Sequence, residues 1–267
     1  MRNIEIGSYN NSTAVKEQYK TSTGLDIRRS FHNKYSTNKQ GYGNWIISNY
    51  ETFEGMTVLE LGCGTGSNWM GHEDLLDTFG KLVLTDFSEG MLSTARENVG
   101  DRNNIEYLVA DIQNLPFEDR SFDMIIANSM LYHVPDIKKG ISEVRRVLKK
   151  DGAFYCATIG EHNFVEQLAE WFRLGGENFN PNHNFTMQNG EELLRTAFSD
   201  IEAGFYQDSL HVTNIDDLVD YLRSLASLKA LNDIPLEKLK AIITEHSVNG
   251  VVDLPKEYGM FIAKGYV

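Results

Sequence analysis

Carboxylates and glycines stand where the apolar runs of this chain end. Val58-Leu59-Glu60-Leu61-Gly62-Cys63-Gly64-Thr65-Gly66 sets an acid inside an apolar run and glycines at every second position after it. The run reads as a buried strand. The glycines read as a loop whose backbone takes left-handed dihedrals and approaches a ligand closely. Asp86 closes a second apolar run at 81–86, Asp111 a third at 105–111, and Asn128 a fourth at 122–128; a fifth spans 153–159. Acids and amides at the carboxyl ends of parallel strands can bind the hydroxyls and amino groups of a nucleotide-like ligand. Just beyond Asn128, Tyr132 and His133 add a phenol and an imidazole, side chains that move protons.

Two ligand classes compete for this pattern. A nicotinamide or flavin dinucleotide needs G-x-G-x-x-G, with its pyrophosphate on a helix N-terminus. Counting from Gly62, the third glycine falls on Ser67; counting from Gly64, it falls on Trp69. Neither register works. A carboxylate at Glu60 also suits a cationic ligand better than a pyrophosphate, and S-adenosylmethionine carries an amino group and a sulfonium. Asp86 follows the glycines at about the spacing where a carboxylate accepts from ribose hydroxyls.

The elements that hold these residues alternate strand and helix, which points to an α/β, doubly wound, mostly parallel sheet. Residues 58–159 resemble the core of a class I S-adenosylmethionine-dependent methyltransferase. The resemblance rests on V-L-E-L-G-C-G-T-G, T-D-F-S-E-G-M-L, V-A-D-I-Q-N-L-P-F-E-D-R-S-F-D and L-K-K-D-G-A-F, in that order. It implies a seven-stranded Rossmann-like sheet and a small-molecule type of enzyme. It places Glu60, Gly62, Cys63, Gly64 and Gly66 at the methionine end of the cofactor and Asp86 at the ribose. Phe87 and Met91 would flank the adenine, Asp111 and Ile112 would meet its amino group and edge, and Asn128 would face the methionine moiety and the methyl. The product would be S-adenosylhomocysteine. The helix after the glycines departs from the pattern: Ser67-Asn68-Trp69-Met70-Gly71-His72 is polar and interrupted, so a short or irregular helix is expected there.

Composition narrows the partners. The net charge of −13 argues against a nucleic-acid substrate. The first 13 residues lack an apolar h-region and no run reaches membrane-spanning length, so neither a leader nor a membrane partner is expected. Cys63 and Cys156 form no C-x-x-C, and H-E-x-x-H is absent, so no metal is expected. Two unframed cysteines fit a reducing cytoplasm. A monomer or homodimer is expected. Residues 151–220 hold thirteen Asp/Glu against Arg173 and Arg195, which suggests an amine or otherwise cationic acceptor if that segment walls the site.

Three regions are expected: an N-terminal helical arm or lid over 1–50, a cofactor-binding core over 51–160, and a remainder, 161–267, carrying helical cap insertions at about 161–187 and 213–257. Helices are expected at 45–51, 163–174, 189–198, 215–228 and 235–247, and strands at 201–212 and 258–266. In the arm, His32 and Tyr35 are candidates to reach the reacting centre; in the cap, Trp171 and His183 are candidates to wall the acceptor. His133 is the candidate general base, with Tyr132 beside it. N or O is the favoured nucleophile. A protein or RNA target, a non-catalytic S-adenosylmethionine-binding protein and a nicotinamide-dependent oxidoreductase are the alternatives.

Overall fold

The computed structural model describes residues 23–175, 179 and 181–267. The expected arm residues 1–22, and 176–178 and 180 of the expected cap loop, lie outside this set. Seven strands form one sheet: β1 (Thr57–Leu61), β2 (Lys81–Asp86), β3 (Ile105–Val109), β4 (Phe122–Ile126), β5 (Leu148–Ile159), β6 (Asp200–Val212) and β7 (Val252–Lys264). Their order is β3-β2-β1-β4-β5-β7-β6. β1 to β5 pair in parallel; β7 runs antiparallel to both β5 and β6. The strand order reverses between β1 and β4, where doubly wound sheets open a crevice for ligands.

Side-chain alternation explains why this sheet is covered on both faces. Leu59, Leu61, Val83, Ile125, Phe154 and Cys156 are buried in one apolar layer. Their neighbours Val58, Leu82, Leu84, Met124, Ile126 and Tyr155 are buried in the opposite one. Successive strand residues face opposite sides, so a strand with no polar face needs helices on both. Against the first layer packs Ile137–Val147 (a helix capped by Asp136, whose carboxylate accepts from the Lys139 N–H). Glu89–Val99, capped by Ser88, lies against the second. Glu60 shares parity with Val58 and so faces the second layer.

In chain order the helices are α1 (Thr23–Tyr35), α2 (Tyr42–Ser48), α3 (Glu73–Thr78), α4 (Glu89–Val99), α5 (Ile137–Val147), α6 (Phe164–Trp171), α7 (Gly190–Leu194), α8 (Ile215–Arg223) and α9 (Leu236–Glu245). The chain after the glycines is irregular as expected: a 3₁₀ turn at Ser67–Trp69, then the short α3. A third apolar cluster joins α1, α6, α8, α9 and the ends of β6 and β7 through Phe31, Leu168, Leu210, Tyr221, Leu239 and Leu254.

The last strands differ from expectation in length. β7 begins at Val252 rather than 258, so residues 252–257 are strand and not cap. β7 pairs with β6 over its whole length but with β5 only from Tyr258 to Ala263. Its first six residues, with Gln207–Val212 of β6, project past the end of β5 as a two-stranded ribbon. The helices between β6 and β7 pack on that ribbon. Pro255 fits there because a proline is tolerated where a strand lacks a neighbour on its amide side.

Candidate active site

β1 delivers the chain to Gly62, Gly64 and Gly66, at φ +65°, +56° and +66°. A Cβ on Gly64 would meet no atom of the described residues within 4 Å, so among them its backbone borders open space. A Cβ on Gly66 would lie 2.7 Å from Val99 Cγ2. Gly66 therefore lets the loop pack on α4, and it is not among the cavity-lining residues. This corrects its expected place against the ligand.

Above the loop opens a cavity of about 520 Å³, within the usual range of small-ligand sites. Glu60, Gly62, Cys63, Gly64, Asp86, Phe87, Met91, Asp111, Ile112 and Asn128 line it, and so do Tyr132, His133 and His32. A more open groove of about 640 Å³, lined by Arg120, Lys138, Arg145 and Tyr266 among others, holds none of these residues.

The carboxylates are held in distinct ways. Glu60 is buried, and its Oε2 accepts a 2.6 Å hydrogen bond from Trp69 Nε1. Burial pushes its pKa up to about 7, the Asp86 charge adds to this, and the Trp69 donor opposes it. Asp86 Oδ2 accepts from the Gly64 N–H at 2.9 Å and Oδ1 from the Ser88 N–H at 2.8 Å. It thus ties the glycine loop to the end of β2. Burial raises its pKa, and those backbone donors oppose the rise. Asp111 Oδ1 accepts from the Gln113 N–H at 2.9 Å.

Past β4 the chain turns sharply. Asn128 Nδ2 donates to Tyr50 Oη at 2.8 Å, while Asn128 Oδ1 is buried with no partner among the described residues. Ser129 adopts φ +54°, uncommon without a glycine. The kink brings Met130, and the 3₁₀ turn Leu131–His133 with it, back over the strand ends. Asn182 supports this turn by donating to the Tyr132 carbonyl at 2.7 Å.

Three expected lid or cap residues are not brought to the cavity. Tyr35 is 4% exposed, and its hydroxyl donates to Asp217 in the third cluster. Trp171 stacks on His246 with ring centroids 4.1 Å apart. His183 pairs with Glu166 at 3.3 Å. For Trp171 and His183 the reason is shared: the segment leaving β5 packs along the ribbon instead of arching over the strand ends; Tyr35 instead sits at the end of α1, turned to α8. Among the described residues, none between 136 and 257 lines the cavity, so the described part of the acidic segment 151–220 does not wall it. The charged residues on the α1 side are Arg28 and Arg29.

Sequence reasoning missed Arg28, Arg29, Tyr42 and Tyr258, which also line the cavity. Tyr42 is fixed by donating to the Gly259 and Thr158 carbonyls at 2.8 and 3.2 Å. Only its setting, after Gly41 in a polar aromatic segment, hinted at a site.

A family model described as a methyltransferase domain matches residues 59–156. The ubiquinone/menaquinone biosynthesis C-methyltransferase UbiE of Escherichia coli is 31% identical over 184 residues, 67% of this chain and 73% of that protein. The chain belongs to the class I S-adenosylmethionine-dependent methyltransferases. A demethylmenaquinone methyltransferase of Staphylococcus aureus is 35% identical over 123 residues, 45% of this methyltransferase and 51% of that protein, so the chain spans about half the length of that relative. The solved Haemonchus contortus phosphoethanolamine N-methyltransferase 2, complexed with phosphomonomethylethanolamine and S-adenosylhomocysteine, superposes with a TM-score of 0.59 at 18% identity. The superposition covers 98% of this methyltransferase and 61% of that chain; at such identity it shows the fold alone. Arg28, His32, Tyr42 and Tyr258 lie outside the residues that the family model matches. Among the described residues, no helix is long and apolar enough to cross a membrane, and no group of three or more His, Cys, Asp or Glu could hold a metal.

Proposed function

We propose that this enzyme methylates a small, hydroxyl-bearing acceptor whose oxygen or adjacent ring carbon becomes nucleophilic on deprotonation. One observation carries the reading: Tyr132 and His133 line the same cavity as the strand-end carboxylates, while among the described residues no acid of the 151–220 segment does. The residues at the sheet end fit S-adenosylmethionine. Among the described residues, Gly64 borders open space, Asn128 Oδ1 is buried without a donor, and Glu60 is a buried carboxylate whose hydrogen-bond donor is the Trp69 indole. Glu60 would pair with the ammonium, Asp86 would accept from the ribose hydroxyls and Asp111 from the adenine amine. Bound there, S-adenosylmethionine supplies a methyl on a sulfonium whose departure as a thioether needs no protonation.

The protein's own work is then positioning and proton removal. A ring nitrogen of His133 takes the proton from the acceptor hydroxyl. Tyr132, Tyr42 and Tyr258 wall a flat group and exclude water. Deprotonating a ring hydroxyl activates both the oxygen and the carbon beside it, so O- and C-methylation share this first step. The Escherichia coli relative is a C-methyltransferase, which favours carbon. A cationic amine acceptor loses its electrostatic basis once the acidic segment is off the cavity.

The test is incubation with labelled S-adenosylmethionine and a panel of phenols, hydroquinones, enols and amines. Products are read by mass, and the methylated atom by NMR. Methylated hydroxyl-bearing rings are expected. Turnover of amines alone would overturn the acceptor class. Turnover of protein or RNA alone, or cofactor binding without any turnover, would favour the corresponding alternative.

A further inference from the structure

Two tyrosines of the cavity wall meet edge to face and use their hydroxyls differently. Tyr42 and Tyr258 both line the cavity, with ring centroids 4.9 Å apart and planes at 62°. The Tyr42 hydroxyl is committed to the backbone, 2.8 Å from the Gly259 carbonyl and 3.2 Å from that of Thr158. The Tyr258 hydroxyl has no hydrogen-bond partner among the described residues, and it is not sealed from solvent. It therefore opens onto the cavity. We propose that Tyr258 donates this O–H to a second oxygen of the acceptor, one other than the hydroxyl that His133 deprotonates, and so selects acceptors that carry it. The inference rests on the cavity being the methyl-transfer site.

Sheet order assigns the phenol to the acceptor. Tyr258 stands on β7, beside Ile159 of β5 on one side and Tyr206 of β6 on the other. β4 and β5 lie between β7 and β1. Glu60, Asp86 and Asp111, the carboxylates lining the cavity, belong to β1, to β2 and to the turn after β3. Tyr258 is thus across the crevice from the groups proposed to hold the cofactor. Its position is fixed as well. Strands flank its backbone on both sides, Tyr42 packs against its ring, and Lys256 Nζ lies 4.7 Å from the ring centroid.

The phenol acts as a donor and not as a base. Burial raises its pKa, the Asp208 charge adds to the rise, and Arg28 opposes it. The ring therefore keeps its proton at neutral pH. A tyrosine O–H that a ligand covers needs a partner. An acceptor oxygen placed there takes over the bond made to water. A methylene in the same place leaves the O–H unpaired and is penalised for it. The contact is neutral on the protein side, so it selects for a lone pair and does not require a charged acceptor.

Acetophenone and α-methylstyrene, alike in shape and differing by a carbonyl oxygen against a methylene, serve as probes on the full chain saturated with S-adenosylhomocysteine. Binding is read by ligand-observed NMR titration. The affinity ratio of acetophenone to α-methylstyrene should fall by about three- to tenfold in Tyr258→Phe, the scale of one lost hydrogen bond. Tyr42→Phe removes a phenol O–H from the same wall, but one already spent on the backbone, and should leave the ratio at its wild-type value. Both variants should keep the wild-type S-adenosylhomocysteine affinity, which also reports that they fold. A ratio unmoved by Tyr258→Phe, an equal fall in Tyr42→Phe, or binding of neither probe would overturn the inference and leave the methyltransferase reading intact. Failure of S-adenosylhomocysteine itself to bind would instead bring down the proposed function.

Discussion

Trp69 donates its indole N–H to Glu60 across 2.6 Å inside the layer that covers β1. The bond offsets part of the cost of burying that carboxylate, yet Glu60 still titrates near 7. The wild-type protein thus keeps a poised acid at the spot proposed for the ammonium.

A pH dependence of cofactor affinity follows. The Glu60 pKa is raised from 4.5 to about 7, so the ligand-free protein favours the protonated form. That contribution to stability is complete below the unfolded value and is lost as pH rises through about 7. An ammonium partner needs the ionised form. Affinity for S-adenosylhomocysteine should therefore rise with pH, by at most about tenfold per unit below 7, and level off above it. Trp69→Phe should move the midpoint upward. Calorimetry from pH 5.5 to 8 measures both; a flat profile would remove Glu60 from the ammonium site.

Gly64 and Gly66 should respond differently to the same substitution. Gly64→Ala strains a left-handed residue, costing about 1–2 kcal/mol, but meets no atom of the described residues within 4 Å. It should keep the fold and lose the thermal shift caused by S-adenosylhomocysteine. Gly66→Ala drives a methyl toward Val99 and should add an overpacking cost of about 1–3 kcal/mol. Melting curves with and without ligand separate the two, and matching behaviour would contradict the division of labour in the loop.

His133→Ala should lower kcat by about 10²-fold or more while leaving cofactor affinity unchanged. Single-turnover rates on an accepted hydroxyl substrate provide the check. An unchanged rate would leave His133 a structural member of the turn after β4.

Lys256→Met should destabilise the protein by about 3–5 kcal/mol, because Asp208 would stay buried without its cation. Their side chains are 2% and 0% exposed. Asp208 also accepts from Ser36 Oγ and the Asn38 N–H, at 2.9 and 3.0 Å. The segment after α1 should therefore become sensitive to protease in the variant. Urea unfolding and limited proteolysis should change together; a loss under about 1 kcal/mol would show the pair to be dispensable.

What could be read from residues alone followed from range. The sheet, its glycine loop and the acids at its strand ends are local signals, because a strand buried on both faces is an unbroken apolar run and a left-handed turn needs glycine. Trp69 was legible only as an obstacle to a dinucleotide; that it holds Glu60 depends on the parity of β1 and the fold of the 3₁₀ turn. Tyr35, Trp171 and His183 were nominated by type and segment. An aromatic residue on an amphipathic helix looks the same whether it faces a cavity or another helix. Arg28 and Arg29 precede the segment that stood out, and Tyr258 belongs to a strand whose length the sequence pattern understated.

The ribbon formed by β6 and β7 beyond β5 is a cantilever. It carries α8 and α9 outboard of the sheet, and through Asp208 it anchors the chain just after α1. The cofactor half of the cavity is built on β1, β2, β3 and β4 and borrows little from this beam. A change in α8 or α9 can then reach the cavity only through α1, which packs on them, while the strand ends that line it are held by separate contacts.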